Sequence, residues 1–378
     1  MNQNKKKTIL YVVNTDWFFL SHRLAIAKKT IEEGYDVHLL TEITTKKKEI
    51  EKYGILVQDI KFRRGSTSIS QNLFLFIKIL KIFKSINPDL IHLVTIKPVI
   101  IGGIAAHFLR KKTKLIISIS GLGFIFIEKG FKAFFRKMII ILFYKLVFIN
   151  KNIKVILQNK TDLKNICDFT NLTKKDAILI EGSGVNLNEY KFSKVPNSKP
   201  IVLFPARLIS SKGIFEFIEA AKRLRNLGRF VIVGKYDFEA RKCINLNELK
   251  AIENQGIIEY WGESNNMPKI FKLSSIVVLP SYREGMPKSL LEAAACGRAV
   301  VTTNVPGCRD AIIDGITGIL VPPQDSLALS NGIYKLLKNH KLLDTMGTEG
   351  RKLAENKFDI SKVVKKHLEI YEYLLSNQ

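Results

Sequence analysis

Residues 276–294 read IVVLPSYREGMPKSLLEAA, and their order decides the fold. Ile276, Val277, Val278 and Leu279 form a short apolar run suited to a strand buried on both faces, ended by Pro280. A polar turn follows, and then Leu290, Leu291, Ala294 and Ala295 recur at helical spacing. Pro287 suits a first helical position, and no Ser, Thr, Asp or Asn stands just before it as a cap. The amides around 285–289 are therefore expected to serve an anion such as a diphosphate. Glu284 and Glu292 flank the turn. Ionised carboxylates only accept hydrogen bonds, so this pair suits a polyhydroxylated ligand, although one surface and one capping glutamate would explain the spacing equally well.

The same strand–turn–helix cadence runs through the chain. Residues 8–14 predict a first strand, 21–33 a helix stopped at Gly34, and 37–41 a second strand, a βαβ unit that implies a parallel sheet. The first turn lacks G-x-G-x-x-G, which disfavours a dinucleotide site there. Strands at 55–60, 90–94, 115–120, 155–158 and 177–181, with helices at 69–86 and 99–109, complete a first domain over 1–194. Residues 195–199, with Pro196 inside and Pro200 just after, read as a short polar linker. The pattern then restarts over 195–357, and an amphipathic helix at 358–378 is expected to pack back toward the first domain. The fold class is α/β, two Rossmann-like domains facing a central cleft at the carboxyl ends of their strands.

Composition narrows the partners. The 378 residues carry a net charge of +26, and residues 61–160 hold 19 Lys/Arg against Asp89 and Glu128, a local +17. This block is also the most apolar, a combination that favours an anionic membrane surface, each cation adding about 1 kcal/mol. Its aromatics, Phe124, Phe126, Phe131, Phe134 and Phe135, sit among aliphatics and no nucleic-acid motif appears, so nucleic acid is not expected as a partner. Phe131, Phe134, Phe135, Met138 and Leu142 recur at helical intervals, and such a one-sided helix is expected to pack into the core. The longest apolar runs fall short of the roughly 20 residues of a spanning helix. Lys5 to Lys7 before a short apolar run imitate a signal peptide that Asp16 interrupts. Four cysteines without metal-ligand spacing read as reduced thiols, and a cytosolic compartment fits.

Arg207 and Lys212 follow the first strand of the second domain, close to Gly213, which is placed to open a helix. Two cations and a helix N-terminus at one strand end would neutralise a diphosphate.

With these residues in place, the chain resembles a known family. PARLISSKG at 205–213, EGMPKSLLEA at 284–293, GRAVVTTNVPG at 297–307 and DGITGILVPP at 314–323 resemble the retaining glycosyltransferases of family 4. FFLSHRLAIA at 18–27 and GYDVHLLT at 34–41 look like the branch that builds bacterial surface polysaccharides on a polyprenyl-diphosphate carrier. The resemblance implies a glycosyltransferase B-type fold, a nucleotide-sugar donor, expected in its UDP form, and no metal or other cofactor. It implies that Arg207 and Lys212 hold the donor diphosphate and that Glu284 accepts from the donor sugar. The backbone at Gly285, Met286, Pro287 and Lys288 would meet sugar and phosphate, and Glu292 the ribose. Gly184 would belong to an inter-domain loop and Gly234 would lie near the base. Front-face attack, with the donor phosphate helping to take the acceptor's proton, needs no protein nucleophile.

Two departures stand out. Asp16-Trp17-Phe18 occupies the first turn where many relatives have a Gly-Gly pair, and His92 stands alone where many have His-x-His. Asp16, His22 and His92 are the candidate acceptor residues, each with a structural role as the alternative. The leading expectation is transfer of a hexose or N-acetylhexosamine to a polyprenyl-diphosphate-linked glycan at the inner membrane face. A sugar-nucleotide epimerase or hydrolase of the same fold is the enzymatic alternative, and a basic membrane- or nucleic-acid-binding module the non-enzymatic one.

Overall fold

The computed structural model describes residues 6–62, 68–109, 113–123, 126, 130–237 and 243–376. Two units emerge: Met1–Ser183 together with Lys362–Gln378, and Gly184–Ser361.

In the first unit, strands β1 (Thr8–Thr15), β2 (Asp36–Glu42), β3 (Leu56–Asp59), β4 (Leu90–Val94), β5 (Lys114–Ile119), β6 (Ile153–Leu157) and β7 (Ala177–Leu179) pair in parallel in the order β3-β2-β1-β4-β5-β6-β7. Its helices are α1 (Asp16–His22), α2 (Leu24–Glu32), α3 (Lys47–Glu51), α4 (Ile69–Ile86), α5 (Ile96–Ala106), α6 (Phe131–Val147) and α7 (Lys160–Phe169). The central strands are apolar on both sides because both sheet faces are covered; all five residues of β4 are buried. Leu93, Val99, Phe83 and Tyr144 belong to the core on one face, and Ile9, Phe19, Ile26 and Leu39 to the core on the other.

Several expectations shift here. The single helix expected over 21–33 is two, broken at Arg23 (φ −131°, ψ −17°), because α1 starts directly at the end of β1. The polar helices α3 and α7 lacked an apolar stripe strong enough to be read. Helix α4 ends as expected, at Asn87 in the left-handed region (φ +49°) just before Pro88.

The larger correction concerns α6. Core packing was expected for its phenylalanine stripe. Instead Phe131, Phe134, Phe135, Met138 and Leu142 are all half-exposed or more, and the residues turned inward are Ala133, Ile141, Tyr144 and Val147. Periodicity identified one-sidedness but not which side is wet. Phe124 lies outside the described residues. No helix among the described residues is long and apolar enough to cross a membrane.

The second unit holds β8 (Ile201–Pro205), β9 (Arg229–Val233), β10 (Glu259–Tyr260), β11 (Ile276–Leu279), β12 (Ala299–Thr303) and β13 (Gly318–Val321), parallel in the order β10-β9-β8-β11-β12-β13. With them come α8 (Ile214–Leu224), α9 (Leu246–Asn254), α10 (Met267–Leu273), α11 (Lys288–Ala295), α12 (Ser326–Leu337) and α13 (His340–Leu353). The unit begins at Gly184 rather than at the 195–199 stretch for a packing reason. The Val185 amide donates to Phe358 O at 2.8 Å, Tyr190 is buried against the Phe271 ring, and the buried Arg298 guanidinium donates to the carbonyls of Ser193, Lys194 and Ser274.

The last helix, α14 (Ile360–Ser376), returns to the first unit. Val363, Ile370, Tyr371 and Leu374 join the core that contains Ile9, Tyr11 and Leu39.

Candidate active site

In an open parallel sheet, ligands bind where the strand order reverses, outside the carboxyl ends of the strands. In the second unit that point lies between β8 and β11. Sequence alone did not give this order, and it is what brings the predicted residues together. Lys212 comes from the segment after β8 and Glu284 from the segment after β11, and Lys212 Nζ donates to Glu284 Oε1 across 72 residues of chain. Ser281 Oγ donates to the same oxygen at 2.7 Å. Among the described residues no hydrogen bond falls on Oε2.

Glycines make this closeness possible. Gly213 caps α8 in the left-handed region (φ +79°), and a Cβ there would stand 2.3 Å from Pro280 O, so only glycine lets the two loops touch. Glu284 is fixed through its amide, which donates to Pro306 O at 3.2 Å. Gly234, after β9, lies against the segment after β8: its Cβ would stand 1.9 Å from Ala206 O. The Tyr260 hydroxyl donates to Gly234 O at 3.0 Å.

Arg207 has a partner of its own outside the Lys212–Glu284 pair. Its Nη1 donates to Asp237 Oδ2 at 2.5 Å, on the segment after β9. Asp237 was missed in the sequence; its only signal was its place three residues beyond Gly234 at a strand end. Glu292 too has other partners. It is 7% exposed on α11, 3.5 Å from Lys288 Nζ and bonded to Tyr190. Burial pushes its pKa up, opposed by the Lys288 charge and the Tyr190 bond. Pro287 is the N-cap of α11 rather than its first residue, and no side chain caps the helix. Gly285 is buried, and the Met286 side chain belongs to the core. Gly184 opens the unit in the left-handed region (φ +76°) and takes no part in these bonds.

The acceptor candidates in the first unit meet a different fate. Asp16 is fully buried, and its carboxylate accepts from the Thr44 hydroxyl and the amides of Trp17, Thr44, Thr45 and Lys46 at 2.7–3.2 Å. Burial alone would raise its pKa, but these bonds together hold it below the usual value. His92 is also fully buried, with Nδ1 bonded to the Tyr371 hydroxyl and Nε2 to Ser118 Oγ, both at 2.7 Å. Neither has an atom left for an acceptor, so both are corrected to structural roles. His22 stacks on Phe18, ring centroids 4.0 Å apart, at the edge of the unit.

Two parallel α/β units, with a cation–carboxylate pair at a sheet's reversal point, fit the glycosyltransferase B-type fold. Residues 186–353 match the family described as Glycosyl transferases group 1, and residues 8–152 match Glycosyl transferase 4-like. The chain is 30% identical over 295 residues to an uncharacterized glycosyltransferase of Methanocaldococcus jannaschii, covering 73% of this chain and 72% of the relative. It is 29% identical over 382 residues to the N,N'-diacetylbacillosaminyl-diphospho-undecaprenol alpha-1,3-N-acetylgalactosaminyltransferase of Campylobacter jejuni, covering 95% of this chain and 99% of the relative. Among solved structures, Anabaena HepE in complex with UDP and glucose superposes with a TM-score of 0.77 at 18% identity, over 96% of this chain and 99% of that one. The chain belongs to the group 1 glycosyltransferases and is an enzyme of that class.

Proposed function

We propose that this chain is a retaining transferase that moves a hexose or N-acetylhexosamine from a UDP-sugar to a polyprenyl-diphosphate-linked glycan in surface-polysaccharide synthesis. The observation that carries the reading is the Lys212–Glu284 pair at the reversal point between β8 and β11. Lys212 and Arg207 supply positive charge for a departing nucleotide diphosphate, which favours the transition state over the bound donor. Glu284 accepts from the donor sugar, and the backbone at Gly285, Met286 and Lys288, around the start of α11, meets sugar and phosphate. Glu292 serves the ribose, and Gly234 leaves room beside the base. The donor phosphate assists removal of the acceptor's proton, and no protein nucleophile or metal takes part. UDP in the Anabaena neighbour and the undecaprenyl carrier named for the Campylobacter relative support the choice of donor and acceptor.

The same reading seats the enzyme peripherally on the inner face of an anionic membrane. Helices α4 and α6 both pack on α5, and they expose Leu73, Phe74, Phe131, Phe134 and Met138 among Lys78, Lys81, Lys132 and Lys145. That mixture of apolar and cationic side chains suits an interface. Flotation with anionic vesicles tests it. Co-flotation at low salt that salt weakens is expected, and failure to float at low salt would reject it.

Turnover is tested by offering a panel of UDP-sugars with and without undecaprenyl-diphosphate-linked acceptor. UDP release that requires acceptor is expected. Donor consumed equally without acceptor would favour a hydrolase or epimerase.

A further inference from the structure

Lys212 and Glu284 hold each other across two segments, one after β8 and one after β11. A donor that takes bonds from both side chains opens that link, and the spacing of the segments then depends on the contacts around it. Spacing matters to the rate, since a misplacement of about 1 Å can cost on the order of 10²-fold. Tyr282 supplies two of the surrounding contacts. Its amide donates to Ser211 O at 3.0 Å, and its hydroxyl donates at 2.7 Å to Oε1 of Glu216, in the first turn of α8. The phenol also bonds to the Ser210 side chain.

We infer that Tyr282 is a positioning residue for the transfer step: its hydroxyl, bound to Glu216, holds Glu284 in register with Lys212 while their own link is open. The assignment rests on the transferase reading of the Lys212–Glu284 pair and extends it to two residues that carry none of the bond-making chemistry. Their placement in the chain suits the task. Lys212 stands between Ser211 and Glu216, the two acceptors, and Glu284 stands two residues beyond Tyr282. The tie therefore brackets the cation on one segment and adjoins the carboxylate on the other. Gly213 also approaches Pro280 O closely, but a close approach without a directional bond does not fix register.

The energetics of the bond favour a role in the site over one in stability. Glu216 Oε2 is buried and finds no partner among the described residues, which is a net cost to folding. Exchanging both partners of such a bond for apolar groups of similar shape is often neutral or stabilising. A fold that had only to be stable would not require a phenol and a carboxylate here. Local rules are broken in this way where function depends on the result. Burial first, and then the Glu216 bond, push the Tyr282 hydroxyl up to about 12, so it remains a donor at neutral pH.

Steady-state turnover of the full chain with the UDP-sugar it uses best, scaled to folded sites counted by UDP titration calorimetry, tests this. The double variant Tyr282→Phe/Glu216→Leu is expected to lose about tenfold or more in kcat, with KM for the UDP-sugar changed by no more than about twofold. Its Tm is expected to be no lower than that of the wild type, because both partners of the bond leave together. Glu216→Gln keeps a carbonyl acceptor for the phenol, and it is expected to keep most of the turnover that Glu216→Leu loses. A double variant with wild-type kcat overturns the proposal. So does one whose turnover falls only in step with its count of UDP sites, which would make the bond structural. Glu216→Gln as slow as Glu216→Leu also overturns it, by assigning the effect to the charge of Glu216 instead of the bond. Failure of the transferase reading would look different: a wild type that turns over no UDP-sugar, with or without acceptor, removes that reading and this role with it.

Discussion

Polar residues on or just beyond the strands of the two units are put to opposite uses. In the first, Asp16 and His92 have every polar side-chain atom engaged by neighbours within the unit and are sealed from solvent. In the second, Lys212 and Glu284 pair with each other, stay partly exposed, and leave a carboxylate oxygen unused among the described residues. An ion pair of this kind can open toward a ligand whose own donors and acceptors replace each partner. A carboxylate holding five donors cannot do so without taking down the loop it organises. The difference teaches that residue type at a strand end does not identify a site; the state of its hydrogen bonds does.

The contrast can be broken most sharply by substitution. Lys212→Ala or Glu284→Ala should lower kcat/KM by about 10²–10³, the usual cost of losing one preorganised electrostatic contact, with Tm little changed. A comparable loss from His92→Ala, measured per folded molecule, would erase the distinction drawn above. Asp16→Ala should act on stability instead. It strips partners from the amides of Thr44, Thr45 and Lys46, a loss of about 3 kcal/mol or more that denaturant unfolding of the first unit would register while activity per folded molecule is retained. Tyr371→Phe removes the hydroxyl shared by Tyr11 and His92, and should cost about 1–3 kcal/mol without altering the KM for UDP-sugar.

A smaller, graded effect should appear with pH. Burial, reinforced by the nearby Arg23 cation, holds His367 down to about 3, and the same two causes hold His92 well below the ordinary range near 6.5. Between pH 6.5 and those folded values only the unfolded chain binds the protons. Stability is therefore full above about 6.5 and declines as pH falls, by up to about 1.4 kcal/mol per unit for each histidine. Trp17 and Trp261 sit one in each unit. In a Trp261→Phe variant, fluorescence should show the first unit losing stability toward pH 5, and His367→Leu should flatten that slope. An unchanged slope would mean that these rings do not govern acid stability.

Much of the architecture was legible because short runs such as Leu90–Val94, Ile201–Pro205 and Ile276–Leu279 are too brief for helices and too apolar for exposed strands. Lys212 and Glu284 were legible as chemistry, since their charges stand at strand ends beside glycines. Their meeting was not, because it depends on strand order, which no local pattern encodes. The fates of Asp16 and His92 were hidden for the same reason: apart from the adjacent Trp17 amide, the partners that claim them lie 28 to 30 and 26 to 279 residues away. For α6 the periodicity was sound, but the wet side of a helix is decided by what covers it.

The return of α14 to the first sheet carries a consequence for synthesis. Tyr11 and His92 are translated long before Tyr371, so the emerging polypeptide must hold one flank of its opening sheet uncovered until the second unit has left the ribosome. Early-made strands then wait on the final turns of helix for their closing hydroxyl. A chain cut after residue 361 would present that flank to chaperones and proteases, however well its carboxyl-terminal half had folded.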